Sequence, residues 1–293
     1  MTAPPTLLSF QRGDGGQLRV DRRGDPTAPI ILLLHGAGQT RHSWARAATR
    51  LADEGFCALA VDLRGHGESD PAADGDYTRQ AFTDDVLELR RQIGPLFGIV
   101  GASLGGISAL LAGDQYTGSL CEAIVLVDIA PRIEQDGAER ILAFMADRPD
   151  GFASLEEVAD ALAAYNPNRP RPRDLDGLGR NLRLGENGRY RWHWDPALIN
   201  GSQSLVSQRD PVALRRAARH LRIPCLLVRG RHSDLLTEDG VAEFRRLVPH
   251  AHHLDIRGAG HMVAGDSNDV FSDAVIDFLD LVRRQRADRD RTA

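Results

Sequence analysis

An α/β architecture, with a mostly parallel eight-stranded sheet covered by helices on both faces, is predicted by three features of the sequence. Short apolar runs bounded by turn residues alternate with segments of helical spacing, the pattern of strands buried on both faces. The alternation stops after Pro131 and resumes near Ile223, so residues 132–222 read as a helical insertion within the sheet. Gly101-Ala102-Ser103-Leu104-Gly105 sits between one such strand and one such helix, which implies a tight strand-to-helix turn.

The elements follow in order. Leu7–Arg12 and Gln17–Asp21 are expected to form a hairpin, because Gly13-Asp14-Gly15-Gly16 between them supplies turn residues. Strands are expected at Ile30–Leu34, Phe56–Val61, Phe97–Val100, Ala123–Val127, Cys225–Arg229 and His253–Ile256. Helical spacing covers Trp44–Glu54, Tyr77–Ile93, Leu104–Gln115, Gly240–Val248 and Asp269–Arg284. The insertion carries amphipathic stretches at Ile133–Ala146 and Ser154–Tyr165, then a stiff charged connector from Pro167 to Arg173. Tyr190, Trp192 and Trp194 alternate, which puts all three on one side of a short extended piece. The expected organisation is therefore a core in two parts, 1–131 and 223–285, a lid at 132–222, and a charged, disordered tail at 286–293.

Composition narrows the function classes. The net charge is −5 and all 36 basic residues are arginine, so there is no basic footprint for nucleic acid. No apolar run reaches the roughly 20 residues needed to span a bilayer. The start of the chain shows neither the charged nor the apolar segment of a signal peptide, so a cytoplasmic location is expected. Cys57, Cys121 and Cys225 lie in separate strand-like runs and read as small core residues. His232, His250, His252 and His253 match no metal-ligand spacing, and no metal or organic cofactor is implied.

Four loops carry the chemistry. Leu34-His35-Gly36-Ala37-Gly38 closes the first parallel strand, Ser103 follows another, and Asp234 and His261 lie in loops just beyond the last two. With Val61-Asp62-Leu63-Arg64-Gly65-His66-Gly67-Glu68-Ser69, these segments resemble the α/β-hydrolase superfamily over about residues 25 to 285. The resemblance implies a nucleophile elbow at Ser103, His261 as general base and Asp234 as its acid partner. Asp128 also follows a strand, and some members of the superfamily take their acid from that position. The backbone N–H groups of Ala37 and Leu104 are implied as the oxyanion hole. Trp192, Trp194 and Met262 are candidates for the substrate pocket, while His35 is expected to brace the oxyanion loop and His66 to be a turn residue.

The branch is narrowed by departures. Dehalogenases and epoxide hydrolases of the superfamily place an aspartate where Ser103 stands, and carbon–carbon hydrolases usually follow the histidine with tryptophan rather than Met262. The expected function is a serine hydrolase of a small to medium ester, thioester or lactone. The alternatives are a carbon–carbon hydrolase, a cofactor-free haloperoxidase or perhydrolase, and a non-catalytic small-ligand receptor on the same fold. The expected partner is a small-molecule, ester-type substrate, with neither nucleic acid nor membrane.

Overall fold

Two antiparallel strands, β1 (Thr6–Gln11) and β2 (Gln17–Arg23), open the chain, and β2 docks antiparallel on β4 (Cys57–Val61). The computed structural model describes residues 4–166, 171–172, 174–179, 181–205, 210–261, 263 and 268–292. The Pro167–Arg173 connector lies largely outside these residues, and Met262 lies outside them altogether. From β4 onward every neighbour is parallel, through β3 (Ile30–Leu34), β5 (Leu96–Ala102), β6 (Cys121–Val127), β9 (Cys225–Gly230) and β10 (His252–Ile256). The sheet order is β1-β2-β4-β3-β5-β6-β9-β10, an α/β-hydrolase arrangement of eight strands.

Alternation along β3 shows how the strands feed two cores. Leu32 and Leu34 pack with α2 (Arg79–Ile93), α3 (Leu104–Gln115), α8 (Pro211–His220) and α9 (Glu238–Leu247) on one face. Ile31 and Leu33 face α1 (Ala45–Asp53) and α10 (Asn268–Thr292) on the other. Several helices begin at a polar cap: the Thr78 hydroxyl accepts from Ala81 N–H, Asp210 from Val212 and Ala213, and Thr237 from Gly240. The cysteines are buried thiols, and burial pushes Cys121 up to about 12.

Between β6 and β9 the chain forms α4 (Gln135–Ala146), α5 (Leu155–Tyr165), α6 (Leu175–Gly179), a hairpin of β7 (Leu182–Leu184) with β8 (Tyr190–Trp192), and α7 (Ala197–Asn200). Phe152, Val158, Ala159 and Leu178 give this insertion a small core of its own. Its expected end at residue 222 is too late. Helix α8 buries Leu214, Ala217 and Ala218 beside α3, and its Arg216 and His220 both bind Asp114 at 3.0 and 2.7 Å. The charged tail also departs from expectation, since α10 runs to Thr292. Arg286 lies 3.4 Å from Glu122 and 3.9 Å from Asp290, and Arg291 pairs with Asp288, so the arginines and acids support another two turns of helix.

Parallel strands direct their carboxyl ends to one edge, where the loops after β3, β5, β6, β9 and β10 gather. Gly105 lets α3 start directly against β3: a Cβ there would stand 2.5 Å from the Leu34 carbonyl oxygen. The loop after β4 is anchored beneath by buried ion pairs. Arg41 pairs with Asp62, whose carboxylate also accepts from the Arg41 and Glu68 N–H groups at 2.6 and 2.9 Å. Arg64 grips Asp85 through two 2.7 Å bonds, so Asp62 and Arg64 are committed to internal pairs.

Three buried histidines then hold the glycine loop after β3. His35 Nδ1 bonds the Gly36 carbonyl at 2.8 Å while its Nε2 accepts from Leu63 N–H at 3.0 Å. His66 Nδ1 bonds the Arg64 carbonyl at 2.9 Å and its Nε2 accepts from Gly38 N–H at 3.1 Å. His193, from the insertion, accepts from Gly67 N–H at 2.8 Å and bonds the Gly38 carbonyl at 3.3 Å. Every ring nitrogen has a backbone partner, so each ring is fixed as one neutral tautomer with no lone pair left for a metal. Burial lowers His35 from its ordinary 6.5 to about 4 and His66 to about 3, and holds His193 well below that ordinary value.

Two outcomes are expected. Ala for Gly in a helix ordinarily stabilises, but Gly105→Ala should destabilise by about 1–3 kcal/mol, because Cβ meets backbone that cannot yield; an unchanged denaturant midpoint would refute this. The histidines are neutral when folded and take up protons on unfolding, so their contribution is present above pH 6.5 and is lost as pH falls toward about 3 to 4. The slope is roughly 1 kcal/mol per pH unit for each ring that stays neutral. The Tm should fall through this window, and less steeply in His193→Gln; parallel slopes for the two proteins would contradict the assignment.

Candidate active site

Ser103 occupies the turn between β5 and α3 at φ 44° and ψ −111°, a backbone conformation that few side-chain-bearing residues adopt. Its N–H donates to Val127 O at 3.1 Å, while Gly105 N–H donates to His35 O at 3.1 Å, so the elbow is tied to β6 and to the loop after β3. Asp128, the residue after β6, is the second departure, at φ 51°. Asp tolerates this region better than most residues, and strained positions of this kind cluster at functional sites.

The Asp128 side chain is fully buried, and both of its oxygens are bonded. Oδ1 accepts from Gly230 N–H at 3.0 Å, and Oδ2 accepts from the Ser233 hydroxyl and lies 2.7 Å from His261 Nδ1. With Nδ1–H donating to the carboxylate, Nε2 of His261 is the nitrogen left basic. Gly230 makes the meeting possible, since a Cβ there would stand 2.0 Å from the Gly260 carbonyl oxygen, beside His261.

Asp234 does not fill the acid position expected for it. Its side chain is 49% exposed and forms a 2.6 Å ion pair with Arg140 of α4. The cause is the turn after β9. The Ser233 hydroxyl faces Asp128 and also accepts from Leu235 and Leu236 N–H at 3.1 Å each, so the next side chain is turned outward. Helix α4 crosses so closely that a Cβ on Gly137 would meet the Asp234 carbonyl at 2.3 Å. Sequence signals for Asp128 existed in its place after a buried strand. No sequence signal marks Ser233 as the residue that turns Asp234 away, or His193 as a brace.

Leu104 is the first residue of α3, so its N–H is one of the donors a helix leaves unpaired at its start. Ala37 lies between Gly36 and Gly38, whose N–H groups donate to Gln39 Oε1 and His66 Nε2 at 3.1 Å each. Both N–H groups belong to segments lying against Ser103, and a Cβ on Gly36 would sit 3.3 Å from that of Ser103. A cavity of about 420 Å³ opens above them, lined by Ala37, Ser103 and His261 and by Phe144, Trp192 and Trp194 of the insertion. The two indoles stack with ring centres 4.9 Å apart, and Phe144 stacks on Tyr165 at 4.1 Å. Burial pushes the Tyr165 hydroxyl up to about 12, so it stays neutral.

Known proteins resemble this chain in sequence and in fold. The alpha/beta hydrolase family profile matches residues 31–274. The esterase Rv0045c of Mycobacterium tuberculosis is 30% identical over 284 residues, covering 94% of this chain and 89% of that protein. A crystal structure of that esterase aligns with a TM-score of 0.74 at 28% identity, covering 96% of this chain and 93% of the other. The 2-(acetamidomethylene)succinate hydrolase of Mesorhizobium japonicum is 28% identical over 275 residues, covering 92% of this chain and 95% of that protein. A crystal structure of E-2-(acetamidomethylene)succinate hydrolase aligns with a TM-score of 0.80 at 27% identity, covering 94% of this chain and all of the other (100%). This chain belongs to the alpha/beta hydrolase family.

Proposed function

We propose that this protein is a serine hydrolase that cleaves a small to medium carboxylic ester, thioester or lactone through an acyl-enzyme on Ser103. The observation that carries the reading is His261 Nδ1 held 2.7 Å from the buried Asp128 carboxylate, with His261 and the strained Ser103 lining one cavity. A serine hydroxyl attacks a carbonyl only when a base takes its proton, and Nε2 of His261 is the free base in this arrangement. Asp128 fixes the tautomer and stabilises the imidazolium as it forms. The oxyanion is assigned to the Ala37 and Leu104 N–H groups, each worth about 3 kcal/mol in the transition state. Collapse expels the alcohol, which takes its proton from His261, and a water activated by the same nitrogen releases the acid.

The apolar walls of the cavity suit a neutral organic substrate, and the insertion acts as a lid that keeps water away during acylation. Similarity to an esterase of Mycobacterium tuberculosis supports the same class. Turnover separates this reading from a receptor that keeps the triad without using it. Ser103→Ala is expected to remove both p-nitrophenyl butanoate turnover and labelling by a fluorophosphonate. Asp128→Asn should lower kcat by about 10³–10⁴-fold, the scale set when a triad carboxylate loses its charge. Asp234→Asn should stay within a few-fold of the parent. Strong loss in Asp234→Asn, with Asp128→Asn still active, would return the acid role to Asp234.

A further inference from the structure

Ser103 stands where two unequal cavities meet. The larger, about 420 Å³, holds His261 and the stacked tryptophans. The smaller, about 90 Å³, is lined by Ile107, Ile129, Ile133, Leu142, Leu205 and Leu235, with Arg79 as its one charged wall residue among the described residues. Ala37 and Ser103 line both cavities, whereas Leu104 lines only the small one and His261 only the large one.

We infer that the small cavity takes the acyl chain and the large cavity takes the alcohol, so the preferred substrate is a short-chain acyl ester of a bulky alcohol. This rests on the acyl-enzyme reading above and specifies its substrate. Attack by Oγ forms a tetrahedral carbon bearing Oγ, the oxyanion, the leaving oxygen and the acyl carbon. The oxyanion points to the Ala37 and Leu104 N–H groups. The leaving oxygen accepts the proton that His261 took from Oγ as its bond to carbon breaks, so the alcohol lies in the cavity that His261 lines. The acyl carbon takes the remaining direction, into the isoleucine and leucine pocket. Departure of the alcohol clears the large cavity beside His261, and water enters there. It gives a proton to Nε2 and its oxygen to the carbonyl carbon, and the Oγ–carbon bond breaks with the proton returning to Oγ. The acyl chain stays in its pocket throughout.

Two ester series test the division, with Ser103 labelling by a fluorophosphonate run in parallel. At fixed alcohol, kcat/KM should fall by about tenfold or more from p-nitrophenyl butanoate to p-nitrophenyl decanoate, because extra methylenes overfill the small cavity. At fixed acyl group, octyl butanoate should be hydrolysed several-fold better than methyl butanoate. Leu142→Ala, at a half-buried wall of the small cavity, should raise the decanoate-to-butanoate ratio, and Ile133→Trp should lower the butanoate-to-acetate ratio. Decanoate preferred over butanoate, with Ser103 labelled and octyl butanoate no better than methyl butanoate, would overturn the division alone. No labelling and no ester turnover would overturn the hydrolase reading and the division with it.

Discussion

The Asp128 carboxylate is the contact on which the site depends. It binds the end of β9 through Gly230 N–H, the following turn through the Ser233 hydroxyl, and the loop after β10 through His261. A buried carboxylate without such donors would carry a large desolvation cost, so the three segments are held at fixed positions relative to β6. Backbone order and side-chain order are therefore one feature. The orientation of the His261 ring is set by a carboxylate anchored at the end of β6.

A second constraint is the closeness of backbones around Ser103. The elbow holds the serine at positive φ, which costs of order 1–3 kcal/mol and persists only when the surroundings over-determine it. Gly105 removes the one atom that would push α3 away from β3, and the Ser103 and Gly105 N–H groups bond to β6 and to the loop after β3. Strain at Ser103 is thus offset by ordinary sheet and helix packing on either side. Chemistry is placed by the sheet, and the space above it is supplied by the insertion.

Much of this was legible in the sequence. The order of apolar runs predicts all eight strands of the sheet, and the glycines around Ser103 predict a close turn, because burial on both faces and backbone contact each restrict residue type. Ser103 and His261 are legible for the same reason, each standing beyond a buried strand. The choice between Asp128 and Asp234 was not, because both follow strands and the outcome turns on a hydroxyl one residue earlier in the chain. The end of the insertion was missed because α8 has the same amphipathic pattern whether it covers a sheet or a cavity. The helical tail was missed because dense charge reads as solvated chain, whereas here arginines and acids alternate at helical spacing.

Residues 192–194 tie these two layers together. Side chains alternate along this segment: Trp192 and Trp194 face the cavity with their rings stacked, and His193 reaches across to Gly38 and Gly67. Trp194 is itself held by a bond from its indole N–H to the Met145 carbonyl at 3.3 Å, on helix α4. A shift of α4 or of the β7–β8 hairpin therefore acts on the substrate cavity and, through His193, on the loop that carries the Ala37 N–H. Changes that reshape the cavity along this segment should alter transition-state stabilisation as well as binding. The wall of the small cavity is tied in differently: Leu235 N–H donates to the Ser233 hydroxyl that binds Asp128, so a shift there acts on Asp128 and, through it, on His261.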